Sequence, residues 1–286
     1  MASGSRRSNA EAGIPAGLLH GLPASSWASP ALAPLKWWHA SAGQAAEPAS
    51  KEVAAAGRAA VANWEVQQVA ILDVARAFEE HDVEAAFLKG TDLNLRCYPL
   101  PGLRPMADAD VLVAAGRLPR VARLLGELGY VNRDRPDDPA ANTAFEHDFH
   151  HPGLGVDLDV HTAVDWQEGL GTTTDELLER REFHETSGVP LLTLPDLLMN
   201  VATHALRDFR EASTLAIVDA HYVLEALERD WEGILETAGR WKARPALRLL
   251  LERLRRFGGA EIPQHVLEDL DTGWLSRRMS RWLGSS

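Results

Sequence analysis

The densest concentration of potential chemistry is Arg104-Pro105-Met106-Ala107-Asp108-Ala109-Asp110-Val111-Leu112-Val113, where two carboxylates stand two residues apart at the mouth of an apolar, β-prone run. Successive side chains of a strand point to opposite faces, so Asp108 and Asp110 share one face while Ala109, Val111 and Val113 fill the other. Adjacent carboxylates repel each other unless a cation lies between them, and hard divalent ions such as Mg²⁺ take oxygen ligands. A metal site is the first expectation. Asp-x-Asp alone also occurs in turns and on solvated surfaces, so this reading needs partners elsewhere in the chain.

Two segments supply them. Upstream, Ala86-Phe87-Leu88 is a short apolar run that stops at Lys89-Gly90-Thr91 and continues as Asp92-Leu93-Asn94-Leu95-Arg96. This reads as a strand, a glycine turn and a helix start, with Thr91 or Asp92 able to cap. Free backbone N–H groups at such a turn suit a phosphate. Downstream, Asp157, Asp159 and His161 alternate with Val156, Leu158 and Val160, so one strand face is acidic and imidazole-bearing and the other apolar. A third carboxylate on a neighbouring strand is what a two-metal phosphoryl-transfer site requires.

In this order, Leu-Lys-Gly, then Arg-Pro-Met-x-Asp-x-Asp with its apolar continuation, then Asp-x-His, the chain resembles the uncharacterised nucleotidyltransferase family of the DNA polymerase beta-like nucleotidyltransferase superfamily. The resemblance extends through Leu128-Gly129-Tyr130 and a helical region with His204, Asp219 and Asp230-Trp231, roughly residues 55–260. It implies an α+β fold: a small mixed-sheet nucleotidyltransferase domain followed by a C-terminal helical domain. It also implies Mg²⁺-dependent transfer of a nucleoside monophosphate from an NTP to a hydroxyl acceptor, with pyrophosphate released and two ions engaged. The acceptor would be a small molecule, a peptide or a protein side chain. Carried onto this sequence, Gly90 and Thr91 occupy the glycine turn, Asp108 and Asp110 the metal pair, and Asp159 the third carboxylate. Asp157 shares Asp159's face and is the alternative third ligand. A second reading is a nucleotide-binding or interaction protein on the same fold that no longer turns over.

Other polar residues have two readings each. Lys89 faces either the phosphates or solvent. Arg104 neutralises triphosphate charge or pairs with an acidic neighbour such as Asp108. His161 binds the acceptor or relays a proton, or else orients a carboxylate. Glu146-His147-Asp148-Phe149-His150-His151 is rich in ligating groups but lacks zinc spacing, so a strand edge is expected there. On the helical region, His204, Arg207, Asp208, Asp219 and His221 line the cleft or form a structural polar network.

Composition narrows the class. A net charge of −12 over 286 residues and a pI near 5.4 argue against a broad nucleic-acid surface. A hydrophobic content of 45% is enough to build a core. Arginine clusters at 248–256 and 277–281 read as solvated helix faces. The single cysteine, Cys97, excludes an internal disulfide and fits a reducing cytoplasm. No apolar run reaches the roughly 18 residues of a membrane span, so no membrane partner is expected.

Three regions follow along the chain. Residues 1–50 form a flexible Ala/Ser/Gly/Pro-rich segment whose Trp27, Trp37 and Trp38 nonetheless imply docking onto the domain or a partner. Residues 51–190 form the nucleotidyltransferase-like α/β domain. It opens with a helix from Lys51 to His81 carrying Val61, Trp64, Ile71, Ala75 and Phe78 on one stripe, interrupted by Gln68. Strands are expected at Ala85–Leu88, Ala109–Val113, Ala144–His150 and Gly155–His161, with helices at Thr91–Cys97 and Leu118–Leu128. Residues 191–286 form the helical C-terminal domain, with helices from Pro195 onward, at Trp231–Trp241, at Pro245–Phe257 and at Pro263–Leu283.

Overall fold

The alternating run 108–113 becomes the organising strand of a seven-stranded mixed sheet. The computed structural model describes residues 30–43, 48–134, 145–164, 171–207 and 212–273. Sheet order is β3-β4-β5-β2-β1-β7-β6, with β1 at Ala85–Phe87, β2 at Asp108–Val113, β3 at Val131–Asn132, β4 at Glu146–His151, β5 at Val156–His161, β6 at Glu182–Phe183 and β7 at Pro190–Leu191. Strands β2 and β5 pair in parallel, as do β1 and β7, and the other pairs are antiparallel. The four longer strands match the expected ones to within two residues at each end. The three two-residue strands were not legible, because so short a segment shows no alternation.

Period two sends alternate side chains into two cores. On one face, Phe87, Val111, Val113, Phe149, Leu158 and Val160 pack against the helices α2 (Lys51–Glu80) and α4 (Leu118–Glu127). On the other, Ala86, Leu88 and Leu112 join α3 (Lys89–Arg96) and a helical layer of α6 (Leu194–Arg207), α7 (Ala212–Ala226), α8 (Trp231–Arg240), α9 (Arg244–Gly258) and α10 (Gln264–Asp269). The helical layer and the sheet therefore share one continuous apolar cluster. The α+β architecture implied by the sequence is the one observed. None of the described helices is long and apolar enough to cross a membrane.

Several local expectations are corrected. Helix α3 starts at Lys89 with Leu88 in the cap position and no side-chain cap, so Thr91 and Asp92 are buried in its first turn and do not cap it. Asp92 pairs with Arg96 at 2.5 Å across one helical turn. The polar residue buried in the apolar stripe of α2 is Gln67, while Gln68 is only half-buried. Helix α10 ends at Asp269, short of the expected Leu283; residues 274–286, with Arg277, Arg278 and Arg281, lie outside the described residues.

Loose packing is not what residues 30–43 show. They fold into a 3₁₀ turn and α1 (Ala33–Ser41), burying Leu32 and Leu35, with Trp37 and Trp38 packed on the same cluster. Each large side chain removed from water contributes about 1.5–3 kcal/mol, enough to offset the ordering of a short segment. Gly57 of α2 makes the approach possible: a Cβ there would stand 2.6 Å from the Trp37 side chain. Residues 1–29, including Trp27, lie outside the described residues.

The helical layer is tied to the sheet side by one buried acid. Asp196, in the first turn of α6 beside Pro195, accepts from Arg180 Nε at 2.6 Å and Nη2 at 2.9 Å, from Thr193 Oγ1 at 2.7 Å and from Trp241 Nε1 at 2.7 Å. Arg180 follows α5 (Thr174–Glu179), itself started by a capping box of Thr173 and Glu176. These donors outweigh burial and hold the Asp196 carboxyl below its ordinary range. Removing it leaves the buried Trp241 indole N–H without an acceptor and the largely buried Arg180 guanidinium without its carboxylate. Asp196→Ala is therefore expected to lower unfolding free energy by about 3–5 kcal/mol in urea denaturation. Glu84→Ala, which breaks an exposed pair with Arg181 at 3.1 Å, should change it by less than about 1 kcal/mol.

Candidate active site

The acidic face of β2 meets that of β5 in register. Asp108 pairs with Asp157, Asp110 with Asp159 and Leu112 with His161. On the far side of β5, Glu146 is opposite His161, Asp148 opposite Asp159 and His150 opposite Asp157. Residues directly opposite share a face, so six carboxylates gather on one side of three strands. The apolar cover of Leu88 and Leu112 ends where these acids begin.

Their environments differ sharply. Asp110 is buried at 6% exposure, and its Oδ1 accepts from Lys89 Nζ at 2.6 Å and from His161 Nε2 at 2.7 Å. Burial opposes ionisation, but Lys89 and His161 together hold this carboxyl well below the usual range. Asp157 is half-exposed and accepts from Arg133 at 2.5 Å and His150 Nδ1 at 2.6 Å; Arg133 also reaches Asp148 at 3.0 Å. Asp108 is pushed up by burial and by Asp110. Asp159 is pushed furthest, to about 8, by burial and then by Asp108, Asp110, Glu146 and Asp148. Among the described residues no donor bonds its carboxylate.

One group has the spacing to hold a metal ion: ligand atoms of Asp110, Asp159 and His161 all lie within 4.8 Å of one another. Asp108 does not join that group. The histidines of β4 are engaged otherwise, His147 with Asp134 at 2.8 Å, His150 with Asp157 and His151 accepting from the Leu154 N–H at 3.1 Å, and they form no second metal cluster among the described residues.

The glycine turn lies beside this group. Lys89 adopts a left-handed backbone conformation, φ 45°, immediately before Gly90. A Cβ at Gly90 would come within 2.6 Å of Met106 Cγ and 2.8 Å of an Arg104 guanidinium nitrogen, so a side chain here would have to displace Met106 or Arg104. Thr91 Oγ1 is buried with no hydrogen-bond partner among the described residues, as is Arg104 Nε. Arg104 pairs with Asp219 at 3.3 Å, rather than with Asp108, and Asp219 also accepts from Tyr98 Oη at 2.6 Å. Asp219 thus belongs to a polar network joining α7 to the Arg104 loop.

Sequence reasoning missed the residues that fix this loop. Asn94 donates to the carbonyls of Gly90 at 3.0 Å and Arg104 at 2.9 Å, and accepts from the backbone N–H groups of Gly102 and Arg104. Asn63 and Gln67 of α2 donate to the Met106 carbonyl, and Gln67 also to that of Ala107. A buried amide inside an otherwise apolar helix stripe was the available signal. Asp230, by contrast, caps α8 by accepting from Gly233 N–H at 3.2 Å, a structural role.

Comparison with known proteins bears on this geometry. No curated protein matches the chain. Among solved structures, the crystal structure of ANT(2")-Ia in complex with adenylyl-2"-tobramycin is similar at 13% identity and a TM-score of 0.44, over 63% of this chain and 98% of that one. The solution structure of the antibiotic-resistance factor ANT(2'')-Ia is similar at 13% identity and a TM-score of 0.45, over 66% and 97%. Both likenesses are distant and carry no argument about function. Residues 32–259 match a protein family described as uncharacterised nucleotidyltransferase. That span holds every strand of the sheet and every residue of the acidic face, and on it the chain belongs to the uncharacterised nucleotidyltransferase family.

Proposed function

We propose that this site moves a nucleoside monophosphate from a Mg²⁺-bound NTP to an acceptor hydroxyl, with Asp110 and Asp159 of the metal-capable trio as metal-holding carboxylates and Asp108, outside the trio but on the same strand face, as the third. The observation that carries this reading is Asp159. It faces four other acids with no donor of its own among the described residues, and a bound cation is what stabilises such a charge. Of the three, only Asp110 makes an ion pair with a lysine or arginine among the described residues, and the charge left on the others suits divalent ions. Their chemistry is to polarise the acceptor oxygen and neutralise the triphosphate. A bond forms between the acceptor oxygen and the α-phosphorus, the bond to the bridging oxygen breaks, and pyrophosphate leaves as the acceptor loses its proton.

The chain's own residues position and neutralise. His161 orients Asp110 through its Nε2 contact. Lys89 and Arg104 supply positive charge on either side of Gly90, where the triphosphate would lie, and the N-terminal turn of α3 adds its dipole. The Thr91 hydroxyl, buried in the same turn, has no hydrogen-bond partner among the described residues. Asp157 is already neutralised by Arg133 and His150, which favours Asp159 as the third ligand. The acceptor we propose is a small molecule, a peptide or a protein side chain. The net charge of −12 favours such an acceptor over a nucleic acid, and Arg248 of the arginine cluster is paired with Glu252 and Asp271.

Two measurements test this. Pyrophosphate release with each NTP, Mg²⁺ and a panel of hydroxyl acceptors should fall by about 10²-fold or more in Asp108→Asn, Asp110→Asn and Asp159→Asn. Asp157→Asn should lose far less. Full turnover in any of the first three, at saturating Mg²⁺, would remove that carboxylate from the metal set.

The pH dependence of stability tests Asp159 without an acceptor. The unfolded chain releases this proton near 3.9, its usual value, whereas the folded chain holds it to about 8. Across that window the folded state binds the extra proton, so this group's contribution to stability falls as pH rises and is fully lost above the folded value. Asp159→Asn should therefore melt increasingly above wild type as pH is raised from 5 to 8.5, roughly the window just set out. Saturating Mg²⁺ should narrow the gap by stabilising the wild type. Parallel pH trends in the two proteins would contradict the assignment.

A further inference from the structure

We infer that Lys89 is an internal cation that closes the metal site of the nucleotide-free protein, so that a divalent ion loads together with a nucleotide whose phosphates draw the ammonium off Asp110. This deepens the metal-dependent nucleotidyl-transfer reading and rests on it.

Three observations carry the inference. First, Lys89 Nζ lies 2.6 Å from Asp110 Oδ1, and both side chains are largely buried, at 16% and 8% exposure. The contact is a desolvated ion pair, unlike the pairs at the rim of the molecule. Second, the oxygen it occupies is the one an ion needs. Asp110 Oδ1 also accepts from His161 Nε2, and Asp110, Asp159 and His161 are the one metal-capable trio among the described residues. An ion entering the trio must compete with an ammonium already bonded to one of its ligands, and must draw the His161 imidazole from Asp110 to itself. Third, Lys89 holds a positive φ of 45°, which side-chain-bearing residues rarely adopt, between the end of β1 and Gly90. The strained backbone launches the side chain from the glycine turn across to Asp110 rather than toward solvent.

The exchange has a direction. A divalent ion alone would strip Lys89 of the one ion pair it makes among the described residues, with Asp110, and offer no anion in return. A triphosphate seated at the Gly90 turn provides that partner, because the turn is where the Lys89 stem begins. Asp159 gives the ion a second ligand that no lysine blocks. Loading is then favourable for ion and nucleotide together and unfavourable for the ion alone.

Binding of Mn²⁺ to the nucleotide-free full chain, followed by the electron paramagnetic resonance of the free ion, tests this without any acceptor. Lys89→Asn removes the ammonium and tolerates the positive φ. It should bind Mn²⁺ at least about tenfold tighter than wild type, a difference of roughly 1.4 kcal/mol. Lys89→Arg keeps the charge and should bind as weakly as wild type. Should Lys89→Asn melt well below wild type, Lys89→Gly replaces it, since glycine relieves the backbone strain. The gain should vanish in the double variant Lys89→Asn with Asp110→Asn. Mn²⁺ binding in Lys89→Asn or Lys89→Gly no tighter than in wild type overturns the inference. Calorimetry of wild type with a non-hydrolysable NTP and Mg²⁺, run alongside, separates the two levels. No NTP uptake would defeat the nucleotidyl-transfer reading, whereas uptake together with unchanged Mn²⁺ affinity would defeat only the role of Lys89.

Discussion

The parallel, in-register pairing of β2 with β5 sets the terms for everything around it. Backbone hydrogen bonds hold Asp110 opposite Asp159 and Asp108 opposite Asp157, at a separation that side-chain repulsion alone would never choose. Antiparallel β4 adds Asp148 and Glu146 to the same face. Folding must compensate that charge, and it does so unevenly. Arg133 and His150 quench the outer acids, Lys89 and His161 quench Asp110, and Asp159 is left with no donor among the described residues. The result is a graded site in which one carboxylate is firmly ionised and its neighbour holds its proton to about 8.

Such a site needs a rigid frame, since a shift of one strand would flip acids into the apolar core. The frame is two-sided. Alternate residues of β1, β2 and β5 enter one core with α2 and α4, and those of β1 and β2 enter another with the helical layer. The loop that delivers Asp108 is then pinned from two directions, by Asn94 of α3 and by Asn63 and Gln67 of α2. From the helical layer, Asp219 holds Arg104 next to Gly90. The helices beyond residue 191 therefore do more than cover the sheet: one of them fixes a cation at the turn.

Much of this was readable without coordinates. The period-two runs at 108–113 and 156–161 declared strands with one acidic face, because alternation is a local property of the backbone. Lys89-Gly90-Thr91 declared a strand-to-helix turn for the same reason. The long helix at 51–80 and the helical character after Pro195 followed from apolar spacing. Boundaries slipped where a local rule lost to packing. Thr91 and Asp92 are good capping residues, yet both are fully buried and Asp92 pairs with Arg96 within the helix, which instead starts at Lys89. Tryptophans inside an Ala/Ser/Gly/Pro-rich stretch outweighed its composition and docked residues 30–43 onto α2.

The sequence by itself determined which residues could carry charge on a common strand face, and hence the kind of chemistry available, because residue type and alternation are written in order along the chain. Which charges cancel was decided only by the tertiary structure. Asp157 and Asp159 share one strand face, and only the Asp-x-His match favoured the second; β4 brings His150 to the first and Asp148 to the second, and Arg133 reaches only the first. Lys89 and Asp110 lie 21 residues apart in sequence and meet at 2.6 Å because β1 lies beside β2. Electrostatic identity depends on distances between strands, and no pattern within a single strand encodes them.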